Sequence, residues 1–174
     1  MRLAILILAA VTLERGVELV IAERNTRRLK AAGAFEVGAR HYPLMVGLHA
    51  AWLLALWALA WDRPVQLVLL ALFLVLQAGR IWVLATLGGR WTTRIIVTPA
   101  APLIRRGPYR FMDHPNYLVV VGEIALLPLA FGLPWLALIF SALNATVLAL
   151  RIRTEDEALG RRLDPPSRQA NLRL

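Results

Sequence analysis

The sequence contains no cysteine, which excludes a disulfide framework, a thiol nucleophile and any thiolate metal site. Its three histidines, His41, His49 and His114, stand at no spacing from carboxylates that would build a metal centre, so no metal is expected. Acidic residues are scarce as well: 11 Asp and Glu against 20 Lys and Arg leave a formal charge of +9. Such an excess can mark a nucleic-acid binder, yet the basic residues sit at the ends of hydrophobic segments, where membrane topology places them, and no nucleic-acid partner is expected. A dinucleotide fingerprint is missing too. Gly88 and Gly89 do not form one, and no strands alternate with helices, which excludes a Rossmann cofactor domain. No internal repeat or low-complexity segment is present. The first apolar run continues through Glu14, Arg15 and Glu18 to Ala22 without a small-residue cleavage pattern, so it is expected to be retained and not removed as a signal peptide.

What the chain has in abundance is apolar sequence. Hydrophobic residues make up 59% of its 174 positions, in runs longer than one soluble domain of this size could bury. Only helices and closed barrels satisfy their own backbone in hydrocarbon, and these runs lack barrel alternation, so an all-α integral membrane bundle is expected. Five transmembrane helices are predicted in a single membrane domain, at about residues 3–22, 44–61, 65–87, 118–131 and 134–150. They are separated by loops 23–43 and 88–117 and followed by a C-terminal segment, 151–174, whose last residues from Pro165 read as a frayed tail. Gly132 and Leu133 leave so short a link before Pro134 that the last two helices must form an antiparallel hairpin. The link from Asp62 to Pro64 is equally tight.

Charge tests this topology independently of hydropathy. The two long loops and the C-terminal segment hold 16 of the 20 Lys and Arg residues. With five spans these three segments share one side, and the positive-inside rule makes that side the cytoplasm of a multi-pass protein of the bacterial inner membrane. Any soluble co-substrate should therefore be met from the cytoplasm, because the opposite turns are too short to hold a site.

Polar islands then mark the candidate chemistry. In GPYRFMDHPNY, residues 107–117, Gly107 and Pro108 make a turn and Pro115 suits the first turn of the fourth span. His114 and Asn116 would lie at a helix N-terminus, where free amides favour an anion. The same residues also suit a plain interfacial helix start, with Tyr109, Arg110 and Tyr117 anchored among headgroups. Glu123, inside the apolar fourth span, is a candidate substrate-binding residue or else a structural partner of Arg80 or Gln77 on the third. Beyond the fifth span, RIRTEDEAL places Arg151 and Glu155 four residues apart on one helical face, with Asp156 next. The short hairpin brings residues 107–117 and 151–157 to one membrane level. Glu14, Arg15 and Glu18 read as an ion-pair group inside the bundle. His41, in ARHYP, is a candidate to reach a substrate or a headgroup, and His49 is expected to hydrogen-bond another helix.

GPYRFMDHPNY, Glu123 in the next helix, the short hairpin and RIRTEDEAL together resemble the isoprenylcysteine carboxyl methyltransferase family, whose pattern is close to GPYR, three residues, HPxY, a hairpin, then R, three residues, EE, two residues, L. Upstream, RNTRRLKAAGAFEVGARHYPLMVGLHA and LGGRWTTRIIV look like the bacterial branch found beside type III polyketide synthases. This resemblance implies S-adenosylmethionine as cofactor without a Rossmann domain, and methylation of a lipophilic small molecule at the membrane. Residue by residue, it implies that Tyr109, His114, Pro115, Tyr117, Glu155 and Asp156 bind the cofactor and that Arg151 closes the pocket and orients the acceptor. Two positions depart from the pattern: Asp113 stands where arginine is usual, and Asp156 replaces the second glutamate.

Methyl transfer from a sulfonium needs in-line approach and exclusion of water, so positioning can supply most of the catalysis. Arg151, or Arg94 in the preceding loop, would hold an anionic acceptor while its tail enters from the membrane lipids. The expected activity is O-methylation of a lipophilic acid, enol or phenol, such as an alkylpyrone, an alkylresorcinol or a prenylcysteine carboxylate. A phospholipid N-methyltransferase, a membrane reductase and a non-enzymatic membrane scaffold are the alternatives.

Overall fold

The computed structural model describes residues 3–98, 102 and 104–163. Its five helices are α1 (Leu3–Ala31), α2 (Tyr42–Ala60), α3 (Leu67–Leu87), α4 (Pro115–Ala130) and α5 (Pro134–Leu163). Two of them outrun the spans expected from hydropathy. α1 continues beyond residue 22 and α5 beyond residue 150, because the charged stretches that leave the apolar runs keep helix formers and hold no proline; α1 runs on until just before Gly33, which takes a left-handed φ of 89°. α3 starts two residues late, since Pro64 holds the chain extended and the Gln66 amide donates to the Ala130 carbonyl at 2.8 Å, tying this turn to the end of α4. The tail expected from Pro165 lies outside the described residues.

Three helical stretches, Ala39–Ala60, Leu67–Arg90 and Pro134–Ala158, are long and apolar enough to cross a membrane. α4 is apolar, but its 16 residues reach only about 24 Å at 1.5 Å per residue, short of a typical hydrocarbon core. α1 has the length, and is interrupted by Glu14, Arg15 and Glu18. Large side chains such as Leu13, Val20, Leu54, Val68, Val75 and Leu138 are exposed on the outer faces, as lipid-facing residues are.

The α4–α5 hairpin closes as its sequence requires. Gly132 takes a left-handed φ of 68° at the turn, its amide donates to the Leu129 carbonyl and the Leu133 amide to Pro128, and Pro134 opens α5. α4 also packs tightly on α3: a Cβ on Gly122 would come within 2.4 Å of Leu76 Cδ1. The main core of Leu8, Leu56, Ile124, Leu127, Phe131 and Leu136 fills the hairpin end of the bundle, and a smaller cluster of Ala22, Val83 and Trp91 lies toward the other.

A two-stranded sheet joins the two long loops, an element that hydropathy gave no sign of. β1 (Phe35–Val37) pairs antiparallel with β2 (Ile95–Val97), Glu36 facing Ile96. Glu36 accepts from Lys30 at the end of α1 and, at 2.8 Å, from Arg94 before β2. Burial opposes ionisation of Glu36, but these two hydrogen bonds outweigh it and hold the carboxyl below the ordinary glutamate value. The clasp fixes Thr93 and Arg94 over the open end of the bundle.

Candidate functional site

A cavity of about 860 Å³ opens between α1, α2, α3, α5, the β2 loop and the start of α4. That is within the roughly 300–1,000 Å³ of small-molecule sites. Its polar end is built from the two motifs on either side of the hairpin. A 3₁₀ turn, Gly107–Arg110, sets Tyr109 on the wall, and α4 begins at Pro115 so that His114, Asn116 and Tyr117 face inward. Gly107 is needed there: it takes φ 58°, and a Cβ would meet Thr86 Oγ1 at 2.4 Å. Across the cavity, successive turns of α5 present Asn144, Val147, Leu148, Arg151 and Glu155.

The motifs touch directly. The Tyr117 hydroxyl donates to Glu155 at 2.5 Å, and His114 Nε2 lies 3.2 Å from Asp156 Oδ1. The His114 and Tyr117 rings stack at 5.2 Å, and the Arg151 guanidinium sits 5.9 Å from the Tyr117 ring centre. Arg151 is 7% exposed and donates to the Thr93 carbonyl at 3.1 Å. Burial, with the Glu155 charge beside it, pushes the Tyr109 phenol up to about 12, so that ring stays a neutral donor and wall.

Besides Trp91 Nε1, two buried polar atoms among the described lining residues have no hydrogen-bond partner: Asn116 Oδ1 and Arg151 Nε. Buried polar groups are rarely left so, and these two sit where a ligand's donor and acceptor would complete them. The donor set suits S-adenosylmethionine. Glu155 and Asp156 offer carboxylates to its cationic groups, Tyr109, Tyr117 and His114 offer aromatic faces, and Arg151 with the amide end of α4 offers anion recognition.

Not every expected site residue lies on this cavity. Pro115 is buried as the first residue of α4 and acts by starting the helix. His41 stands in the 3₁₀ turn before α2, off the lining. Glu123 is also off the lining, 4% exposed, and it accepts from Arg80 at 2.9 Å and from Arg15 at 3.0 Å. Glu18 accepts from Arg15 at 2.9 Å and, through both of its oxygens, from Arg80, while Glu14 accepts from Gln77. This network links α1, α3 and α4, as the ion-pair reading of Glu14, Arg15 and Glu18 anticipated, and it gives Glu123 a structural place. Arg94 does line the cavity, but its guanidinium is taken by Glu36 and lies 3.9 Å over the Tyr42 ring. That leaves Arg151 as the freer cation.

Sequence reasoning passed over Asn144, Arg15, Glu18, Arg80 and His49 as cavity residues. Asn144 was traceable: it lies seven residues before Arg151, two turns along the same face of an apolar helix. His49 bonds the Met45 carbonyl of its own helix at 2.9 Å, not another helix as expected.

Residues 68–161 match the model of the "Isoprenylcysteine carboxyl methyltransferase (ICMT) family". Over 159 residues the chain is 39% identical to the uncharacterized protein YpbQ of Bacillus subtilis (strain 168), covering 88% of this chain and 95% of that one. An uncharacterized protein of Haemophilus influenzae (strain ATCC 51907 / DSM 11121 / KW20 / Rd) is 27% identical over 148 residues, 81% of this chain and 86% of its own. No solved structure matches.

Proposed function

The chain belongs to the isoprenylcysteine carboxyl methyltransferase family, and from that premise we propose that it is a membrane-embedded, S-adenosylmethionine-dependent O-methyltransferase acting on a lipophilic acid, enol or phenol. One observation carries the proposal: the two halves of the family motif meet across a single cavity, through Tyr117–Glu155 and His114–Asp156, and leave Asn116 Oδ1 and Arg151 Nε there without partners.

Bound in that cavity, S-adenosylmethionine supplies an electrophilic methyl group. Glu155 and Asp156 then hold its positive charge, and Tyr117, fixed by its bond to Glu155, keeps an aromatic face beside it. Arg151 turns its open Nε toward an anion, either the carboxylate of the cofactor or the oxygen of the acceptor. Apolar lining from Met45, Val46, Leu53, Val120 and Val147 receives the acceptor's tail and excludes water from the transfer.

In our reading all five helices span the membrane, with the cavity mouth in the cytoplasm. The basic loops and the mouth share one end of the bundle, which supports that orientation. The likeness of the upstream segments to the polyketide-associated branch favours an alkylpyrone or alkylresorcinol acceptor over prenylcysteine.

Calorimetric titration of S-adenosylmethionine into the detergent-purified protein, beside His114→Ala and Glu155→Ala, tests this reading. Binding by the parent and loss in both variants is expected. A parent that binds no S-adenosylmethionine removes every methyltransferase reading and leaves the reductase or the scaffold. Transfer of a labelled methyl group to phospholipid amines, but to no hydroxyl or carboxylate acceptor, would replace O- by N-methylation.

A further inference from the structure

His49 lies two turns into α2, roughly 10 Å along the helix from Tyr42 at 1.5 Å per residue. Its neighbours on the cavity wall, Met45, Val46, Ala50 and Leu53, are all apolar. The Nδ1 atom stands 2.9 Å from the Met45 carbonyl oxygen. A carbonyl only accepts, so Nδ1 must carry the hydrogen, and on a neutral ring that leaves the lone pair on Nε2. No group among the described residues bonds Nε2, and the ring lines the cavity. No carboxylate among the described residues pairs with the ring.

The other basic groups on the lining are engaged or misplaced for the same task. Glu18 is held by Arg15 and Arg80, Glu155 accepts from Tyr117, and His114 lies against Glu155 and Asp156. Asp113 is exposed at the mouth. We propose that His49 is the catalytic base that takes the proton of a weakly acidic hydroxyl acceptor, an enol or phenol, whose tail lies along the apolar wall. This rests on the methyltransferase reading of the same cavity and narrows its acceptor class. A carboxylic acid, with an ordinary pKa of about 4, reaches the site already ionised, and a base beside it has no proton to remove.

The step balances. His49 Nε2 accepts the hydroxyl proton as an oxygen electron pair forms the new C–O bond to the methyl carbon. The pair of the breaking S–C bond returns to sulfur, which becomes a neutral thioether, and the imidazolium later passes its proton to water at the mouth. Charged and titratable groups on the surrounding elements set the field at the ring. They are Arg15 of α1, Arg80 of α3 and Arg151 of α5.

The test pairs two acceptors with the same alkyl tail, one ending in a phenol and one in a carboxylate, on the parent, His49→Gln and His49→Ala. Expected is a loss of about 10²–10⁴-fold in phenol turnover, carboxylate turnover within about twofold of the parent, and partial rescue of His49→Ala by added imidazole. Equal losses on both acceptors, or an unaffected phenol reaction, would overturn the proposal. So would a parent that methylates carboxylates and never hydroxyls. A readout independent of turnover is nitrogen NMR of isotope-labelled histidine, which the chain's three histidines make assignable by difference with His49→Gln. The signal should show Nδ1 protonated and Nε2 bare, and a protonated Nε2 in the acceptor-free protein sinks the idea. S-adenosylmethionine affinity, unchanged in both variants, separates this failure from failure of the functional reading, in which the parent itself binds none.

Discussion

Glu155 ties the two motifs together, because its carboxylate receives the Tyr117 hydroxyl and stands 3.9 Å from His114 Nδ1. Replacing it with glutamine keeps the shape and removes the charge, so S-adenosylmethionine affinity should fall roughly tenfold, the equivalent of about 1.4 kcal/mol, as read by calorimetry. Tyr117→Phe, which leaves the ring and the carboxylate, should cost less. Arg80 predicts a different kind of loss. It is 6% exposed and bonds both Glu18 and Glu123, so Arg80→Met leaves two buried carboxylates short of their cation and should destabilise the fold by about 3–5 kcal/mol. Thermal unfolding in detergent measures this, and the double variant Arg80→Met with Glu18→Gln should recover part of the loss. The positions of His114, Tyr117, Arg151 and Glu155 around one cavity were legible because a hairpin of known length fixes which ends of α4 and α5 meet. His49 was not. A lone polar residue in an apolar helix looks the same in sequence whether it is satisfied by its own turn or aimed into a cavity, and only the tertiary arrangement separates the cases.

Among the elements, the β1–β2 clasp was the least legible. Strands of three residues carry no periodicity to detect, and the pairing joins segments about sixty residues apart. Its ionic part gives a pH prediction. The Glu36 carboxyl is held below its ordinary value by Lys30 and Arg94, so the stability it adds is full above the unfolded glutamate value of about 4.3. That contribution drains away as pH falls through the lower folded value. Amide protection across residues 35–37 and 95–97, measured relative to unfolded peptide at each pH, should therefore fall below about pH 4, and Glu36→Gln should remove this acid dependence at the cost of weaker protection at neutral pH. The α3–α4 contact permits a second test. Gly122→Val would drive a branched side chain into Leu76, and a lower unfolding temperature is the expected result.

For the whole molecule, helix number and order were legible from hydropathy and the glycine and proline punctuation, whereas helix length was not, because charge stops a span without stopping a helix. The absence of cysteine gives a direct test of orientation. Single cysteines placed at Arg63, in the link between α2 and α3, and at Glu157, on the α5 extension, should label from opposite faces with a membrane-impermeant thiol reagent in intact and inverted vesicles. Labelling of both from one face would contradict five spans.

The buried ion network also bears on how the chain is made. Charges at the middle of a helix cost about 2.5–3.5 kcal/mol each to insert through a translocon, and α1 carries three of them with no partner nearby in sequence beyond each other. Arg80 is synthesised 62 residues after Glu18, and Glu123 appears 108 residues after Arg15. A nascent chain that has completed only α1 thus holds a segment the lipid disfavours. α3 brings the guanidinium for Glu18, and α4 then brings the carboxylate shared by Arg15 and Arg80. On the five-span reading, biogenesis is therefore cooperative over about two thirds of the chain, and α1 takes its settled depth in the bilayer after helices translated well behind it.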